Sequence, residues 1–377
     1  MEALSNHGHE IKVIDFEARP RNRAIVGSAF TRVFRNVSRT GSGGQVSVVR
    51  PGMVKVPGVG RMSSFVPQLK AIFREIVQWS DIVVLYSIPT NGLQTLFASR
   101  LLSRPFVFHS FDILHQLTGY SFLRAPTWTL ERLIYPRASR VVVISLALRD
   151  YMKRIGVSEE VLKLIPPGVD TERFTPKTTG KNFRTELGIK PSEKVVLFSG
   201  WLYDFCGLDI VVSEWNTILQ QEEDVKLVIC GDGPKLNKLL ADRNRLGLHS
   251  SVTITGRQPF HRMPEVIASA DLCINPYLPS VASNFAFPSK MTEYMAAGKP
   301  VLATDLVGTV SLLPAHSGVT LVSPRKFVES LKMLLQDRGK LEEQGKTARK
   351  FCEEHFAIPQ VALRFEEVLN ELVGAPN

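Results

Sequence analysis

The chain is poor in the features that define several protein classes. It has four cysteines in 377 residues. Cys206, Cys230, Cys273 and Cys352 show no CxxC spacing and no clustering with histidine, which argues against both a disulfide scaffold and a cysteine zinc site. Cys230 and Cys273 lie inside strand-like runs, where buried thiols are common. No stretch approaches the roughly 18 apolar residues of a membrane-spanning helix. The opening MEALSNHGHEIK lacks a basic segment followed by an apolar one, so no cleaved leader is expected. The simplest compartment is the cytosol. Acid is scarce in one half only: residues 1–175 hold 23 Lys/Arg against 13 Asp/Glu, whereas residues 176–377 hold 23 of each. The whole excess of +10 therefore sits in the first half. Such asymmetry points to an anionic partner or to a solvated basic face.

What is present is an alternation of short β-branched runs with helical segments, the pattern of an α/β chain with parallel sheets. In the first half, strands are expected at 11–16, 46–49, 81–86, 106–109, 140–145 and 161–165. Helices are expected near 66–78, 91–103, 125–135 and 146–155. The second half repeats the theme, with strands at 194–199, 225–230, 251–255, 271–275, 300–304 and 319–322. Its helices fall near 234–246, 261–269, 289–297 and 325–336. The turn-rich stretch 166–192 joins the two arrays. The strands are near-continuous apolar runs, as expected when helices cover both faces of a sheet. Ligands of such sheets bind at the carboxyl ends of the strands, which directs attention to the loops after Ser199, Cys230, Thr255 and Asn275.

Two of the glycine-bearing loops among these stand out. GDGP (231–234) follows one strand directly, and Gly200 ends another. Glycine there lets backbone N–H groups approach an anionic or ribose-bearing ligand, although an unliganded tight turn uses it equally well. Farther on, Pro288 and Ser289 mark a helix start and Gly298 its end. Lys290 then falls in the first turn, where a cation opposes the helix dipole unless an anion binds there. Glu293, three residues on, shares its face. The plainer reading is a surface Lys–Glu pair.

Taken together, IPPGVDTERFTP (165–176), SGWLYDFCGLD (199–209), VICGDGP (228–234), ITGRQPF (254–260), ADLCINPY (270–277) and PSKMTEYMAAGKPV (288–301) resemble the retaining GT-B glycosyltransferases of family 4 (glycosyl transferases group 1). The likeness runs through almost the whole chain and is densest from Val141 to Asp305. It implies two Rossmann-like domains facing across a cleft: an acceptor-side domain at 1–170, a nucleotide-sugar domain at 171–357, and a C-terminal helix at 358–377 crossing back to the first. The implied donor is a UDP- or GDP-sugar and the implied acceptor a lipid-linked or surface-glycan precursor, with no resident cofactor or metal; no D-x-D motif occurs. By the same resemblance, Glu293 holds the donor ribose, with Ser289 beside it at the helix start. Gly231 and Gly233 line the nucleotide, Gly200 underlies the diphosphate, and Arg257 approaches the base. Asp112 falls in the acceptor-side loop, and His109 is either a partner in the same cleft or a core residue.

The chain departs from the family pattern in three places. Trp201 and Cys206 stand where the family commonly has Arg and Lys against the diphosphate, and Phe285 stands where a glutamate often contacts the sugar. Lys290, at the helix start, is the natural substitute for the missing cations. The expected first strand and its glycine loop have no counterpart in the given sequence, because Gly8-His9-Glu10 comes almost at once; either the chain start is assigned too late or the first sheet lacks a strand. The rival reading is a degenerate, non-catalytic nucleotide-sugar binder or scaffold. Finally, 19–44 carries six arginines and no acid, with Phe30, Val33, Phe34 and Val37 at helical spacing. That pattern fits a helix on an anionic membrane or one packed on the first domain. Nucleic-acid binding has only charge behind it and no aromatic–basic motif, so it is not expected.

Overall fold

A computed structural model describes residues 1–15, 31–38, 43–52, 65–86, 91–116, 118 and 121–374. The chain divides into two compact units. One comprises 1–143, 148–165 and 362–377, and the other 144–147 and 166–361.

In the first unit the described strands are β1 (Lys12–Ile14), β2 (Arg32–Val37), β3 (Val46–Arg50), β4 (Val83–Tyr86), β5 (Phe106–Ser110), β6 (Arg140–Val143) and β7 (Leu162–Leu164). They form two sheets, ordered β1–β3–β2 and β4–β5–β6–β7. The second is wholly parallel, and its middle strand β5 is buried along its length, as a strand covered on both faces should be. Strands β1 and β4 each end a sheet, and most of their residues are only half-buried despite their apolar composition. The helix Phe65–Gln78 packs against both: Ile72 and Ile76 share a small apolar cluster with Ile14 and Val83. A short helix, Glu2–Asn6, precedes the turn at Gly8, whose φ of +93° suits glycine.

The basic stretch differs from expectation. Residues 16–30 and 39–42, including Phe30, lie outside the described residues. Residues 32–37 form a strand, not a helix, paired antiparallel to β3. The β-branched and aromatic residues Val33, Phe34 and Val37 suit a pleated strand. A register shift between Phe34 and Val37 holds Asn36 at φ +54°, a conformation asparagine tolerates at a bulge. Phe34 lies under the guanidinium groups of Arg50 and Arg32, at 5.2 and 6.0 Å. The apolar stripe expected at helical spacing therefore does not exist over 32–37.

The second unit holds one six-stranded parallel sheet of β8 (Lys194–Ser199), β9 (Val225–Cys230), β10 (Val252–Ile254), β11 (Leu272–Asn275), β12 (Val301–Thr304) and β13 (Val319–Val322). Its order is β10–β9–β8–β11–β12–β13. Consecutive strands build outward in one direction from β8 and in the other from β11. The crevice between their carboxyl ends is the topological switch point, the ligand position of open α/β sheets. Helices Leu208–Ser213, Trp215–Leu219 and Phe327–Leu335 bury apolar side chains in the core beneath it, with Trp215 fully enclosed. The helix Ile358–Val373 ends the described chain, and its residues from Ala362 onward belong to the first unit.

Candidate donor site

The site is built around the end of β8. Gly200 follows that strand with φ +130° and donates its N–H to the Cys230 carbonyl at 2.9 Å. The neighbouring loop locks against it. A Cβ on Gly231 would stand 2.0 Å from the Gly200 carbonyl oxygen, and one on Gly233 (φ +151°) would stand 2.7–3.0 Å from the Leu202 backbone. Leu202 N–H donates to the Asp232 carbonyl at 2.9 Å, and Lys235 N–H to the Leu202 carbonyl at 3.1 Å. The glycines at 231 and 233 are thus required by the approach of two loops to each other, before any ligand is considered.

Across the switch point, the helix Ser289–Ala296 delivers Lys290 into this corner. Tyr294 fixes the helix: its hydroxyl accepts the Ser199 N–H at 2.8 Å and lies 3.0 Å from Ser199 Oγ. Lys290 is buried, and its Nζ donates to the Tyr277 hydroxyl at 2.9 Å. The ammonium lies 3.7 Å from the centre of the Phe198 ring and 4.5 Å from that of Tyr277. It also abuts the Gly200 backbone, where an added Cβ would be 3.1 Å from Nζ. Tyr277 is wedged by Phe205, ring centres 5.2 Å apart at 87°. Cys206 is buried close enough to feel the charge of Lys290, and its thiol is pushed up by burial. The lysine therefore reaches from a separate helix onto the Gly200 loop.

Lys290 and Glu293 do not pair with each other, which removes the plain surface-pair reading. Burial depresses the Lys290 ammonium from 10.5 to about 7. Burial also raises the Glu293 carboxyl from 4.5 to about 7, against the opposing pull of Lys290 and Arg173. Glu293 is half-buried and has no hydrogen-bond partner among the described residues. A cation and a carboxylate, both desolvated and both short of partners, sit on one helix end at a switch point. Such an arrangement is unfavourable alone and suited to an anionic, hydroxyl-bearing ligand. Asn275, at the end of β11, adds a fully buried side-chain amide with no partner among the described residues.

The other expected residues fall as follows. Ser289 is exposed at the first position of the Lys290 helix. Arg257 is exposed in the loop after β10, an edge strand two removed from β8, and nothing in the structure joins it to Lys290. Trp201 is exposed beside Gly200, while Phe285 is half-buried and accepts the Ser145 hydroxyl at its carbonyl, 2.9 Å. Asp112 and His109 belong to the first unit. Burial raises Asp112 from 3.8 to about 6. His109 lies within β5 among Phe111, Tyr86 and Phe365, ring centres 4.4, 5.0 and 5.6 Å away. Burial lowers it to about 3, which keeps the ring neutral at physiological pH.

Several participants were invisible in the sequence. Tyr277, Tyr294 and Arg173 act on Lys290, Ser199 and Glu293 across separations that no local spacing encodes. Arg173 stacks on Phe260 at 4.2 Å and donates to its carbonyl at 3.3 Å. In the first unit, the loop bearing Asp112 is tied down by Glu131. That fully buried carboxylate accepts His115 N–H at 2.8 Å, lies 2.9 Å from His115 Nδ1 and accepts the Tyr151 hydroxyl.

Comparison with known proteins bears on the fold of both halves. Residues 1–173 match the family model described as Glycosyltransferase Family 4, and residues 193–337 match that described as Glycosyl transferases group 1. Each half thus matches a glycosyltransferase family model, and the fold is GT-B. HepE of Anabaena, solved in complex with UDP, superimposes with a TM-score of 0.69 at 20% identity, covering 88% of this chain and 87% of that one. Sucrose-phosphate synthase from Thermosynechococcus elongatus gives 0.75 at 16% identity, covering 100% and 92%. Among curated proteins, a D-inositol 3-phosphate glycosyltransferase of Segniliparus rotundus is 30% identical over 192 residues, 49% of this chain and 41% of that protein. An uncharacterized glycosyltransferase of Methanocaldococcus jannaschii is 21% identical over 250 residues, 65% and 62% of the two chains. The aligned regions thus span between two fifths and two thirds of these relatives' lengths.

Proposed function

We propose that the protein is a glycosyltransferase that moves a sugar, with retention of configuration, from a nucleoside-diphosphate sugar to a lipid-linked or surface-glycan acceptor. The observation that carries this reading is the Lys290–Glu293 helix end at the β8/β11 switch point, with its cation turned onto the Gly200 loop. The UDP bound by HepE, a protein of the same fold, supports the choice of donor.

In this reading the donor ribose hydroxyls bind the Glu293 carboxylate, while Gly231 and Gly233 keep the nucleotide loop free of side chains. The Lys290 ammonium and the helix N-terminus meet the charge that grows on the diphosphate as the sugar–oxygen bond breaks. A dry, aromatic seat strengthens that attraction relative to water. The sugar passes to an acceptor hydroxyl, whose proton leaves with the departing phosphate or a nearby base. Asp112 is the acceptor-side carboxylate, with a raised pKa that suits proton exchange near neutrality.

Calorimetric titration with UDP, GDP and their sugars, followed by donor-hydrolysis assays, tests the reading. Binding of one nucleoside diphosphate family and slow release of its sugar is the expected result. Failure of every nucleotide to bind would overturn it.

A further inference from the structure

The helix Gly92–Leu101 is built inside out. Its buried face presents Gln94, Thr95 and Ser99, along with Leu96 and Ala98. Its solvent face presents Leu93, Phe97 and Leu101, the last two each 62% exposed. At 3.6 residues per turn these three positions, together with Arg100, lie within about 100° of one another. An ordinary surface helix has the opposite polarity. The apolar stripe continues onto its neighbours. Phe73 of the helix Phe65–Gln78 meets Phe97 edge-on, ring centres 6.2 Å apart, and Phe65 and Val66 at that helix's start are exposed. The helix Arg124–Ile134, which also packs against Gly92–Leu101, exposes Trp128, and Phe122 just before it is 72% exposed.

The charges on these three helices sort by sign. Lys70, Arg74, Arg100, Arg124 and Arg132 are exposed. The only two acids, Glu75 and Glu131, are taken up by neighbours: Glu75 pairs with Lys12 at 3.0 Å and with Arg74 at 2.8 Å, and Glu131 is fully buried against His115 and Tyr151. No acid is exposed on any of the three. Arg132 lies over Trp128 at 4.7 Å, an aromatic body with a cationic tip.

We propose that this three-helix face of the first unit binds an anionic lipid bilayer, with Leu93, Phe97 and Leu101 entering the interface and the surrounding Lys and Arg meeting lipid phosphates. An isolated exposed leucine is ordinary, but apolar residues continuous over three helices are not. A protein partner would ordinarily meet such a patch with a polar rim of both signs. Charge of one sign throughout is complementary to an anionic leaflet. This surface is separate from the basic stretch 19–44, of which 32–37 is a strand. It is independent of the donor site and stands whether or not the nucleotide reading holds.

The test is co-sedimentation of the full chain with phosphatidylcholine vesicles, with and without phosphatidylglycerol. Binding is expected only where phosphatidylglycerol is present, and it weakens as salt screens the charges. Phe97→Ser with Leu101→Ser is expected to cut binding at least tenfold without lowering the melting temperature, because both side chains are exposed. Arg100→Ser with Arg132→Ser is expected to weaken binding and flatten its salt dependence. Wild-type affinity in both variants, or no binding to either vesicle, overturns the proposal. A dimer in solution that Phe97→Ser with Leu101→Ser breaks, with vesicle binding unchanged, would also overturn it and assign the face to a second copy.

Discussion

Replacing Lys290 with methionine should make the protein more stable and take away its donor. The Lys290 ammonium is held at about 7 where an exposed lysine titrates near 10.5. At about 1.4 kcal/mol per unit, the difference corresponds to about 5 kcal/mol of unfavourable burial at neutral pH. Methionine keeps most of the chain's length and its contact with Phe198, but forfeits the hydrogen bond to Tyr277, a loss of about 2 kcal/mol. The net expectation is a gain of about 3 kcal/mol, or several degrees in melting temperature. The pH dependence supplies the sharper check. Between about 7 and 10.5 the unfolded chain binds the lysine proton and the native chain does not. Wild-type stability therefore rises with pH across that window, and the advantage of the methionine variant shrinks. Glu293 has the opposite slope, but between 4.5 and about 7, outside the window. Denaturant unfolding of both proteins at stepped pH measures the gap, and titration with UDP and GDP measures the affinity. Loss of a charge-assisted contact should weaken the nucleotide by at least tenfold. A variant less stable than wild type at neutral pH, or a gap that does not narrow with pH, would refute the account of Lys290 as a desolvated charge.

Glu293→Ala should lower nucleotide affinity about tenfold or more through loss of a charged acceptor, with no loss of melting temperature; wild-type affinity would remove the ribose assignment. With Lys290 and Glu293 both near 7, nucleotide affinity should peak near neutrality. The acidic limb should vanish in Glu293→Ala and the alkaline limb in Lys290→Met, which binding measured across pH would show. Gly231→Ala places a Cβ 2.0 Å from the Gly200 carbonyl oxygen, so unfolding experiments should show a loss of about 1–3 kcal/mol; an unchanged midpoint would mean the loops separate freely. Turnover should persist in excess EDTA, because Lys290 and the helix end are assigned the charge on the leaving group. A complete, magnesium-reversible loss would contradict that assignment.

The second unit was far more legible than the first. Its strands read directly as continuous β-branched runs: β8, β9 and β13 match expectation residue for residue, because a doubly covered parallel strand leaves a dense local signal. Short helices such as Leu208–Ser213 and Val281–Phe285 went unread, since fewer than two turns carry little periodicity. The 32–37 error had a physical source as well. Val33, Phe34 and Val37 fit a helical stripe by spacing, but pairing with β3 decides the matter, and pairing is not local. At the site, Lys290 and Glu293 stood out because a cation at a helix start is locally unfavourable. Their surroundings did not, since Tyr277 and Phe198 meet Lys290 only through sheet order. The inverted polarity of Gly92–Leu101 could have been found: its leucines and phenylalanine recur at intervals of four, and only the identity of the inward face needed the fold.

The interlocked turns after β8 and β9 bear on how such a site can diverge. Neither can be redrawn alone, because Gly231 has room only while the 200–202 backbone runs where it does, and Leu202 takes its hydrogen bonds from the 232–235 turn. Residues 199–207 and 230–235 therefore form a single inherited piece. Transplanting a related loop to change which donor is accepted would succeed only as a matched pair, and single-loop chimeras would fail in assembly before their selectivity could be measured. Trp201 and Asp204, exposed on the first turn, are the positions open to variation within that paired frame, whereas Tyr203 stacks on Phe205 and meets Tyr277 edge-on.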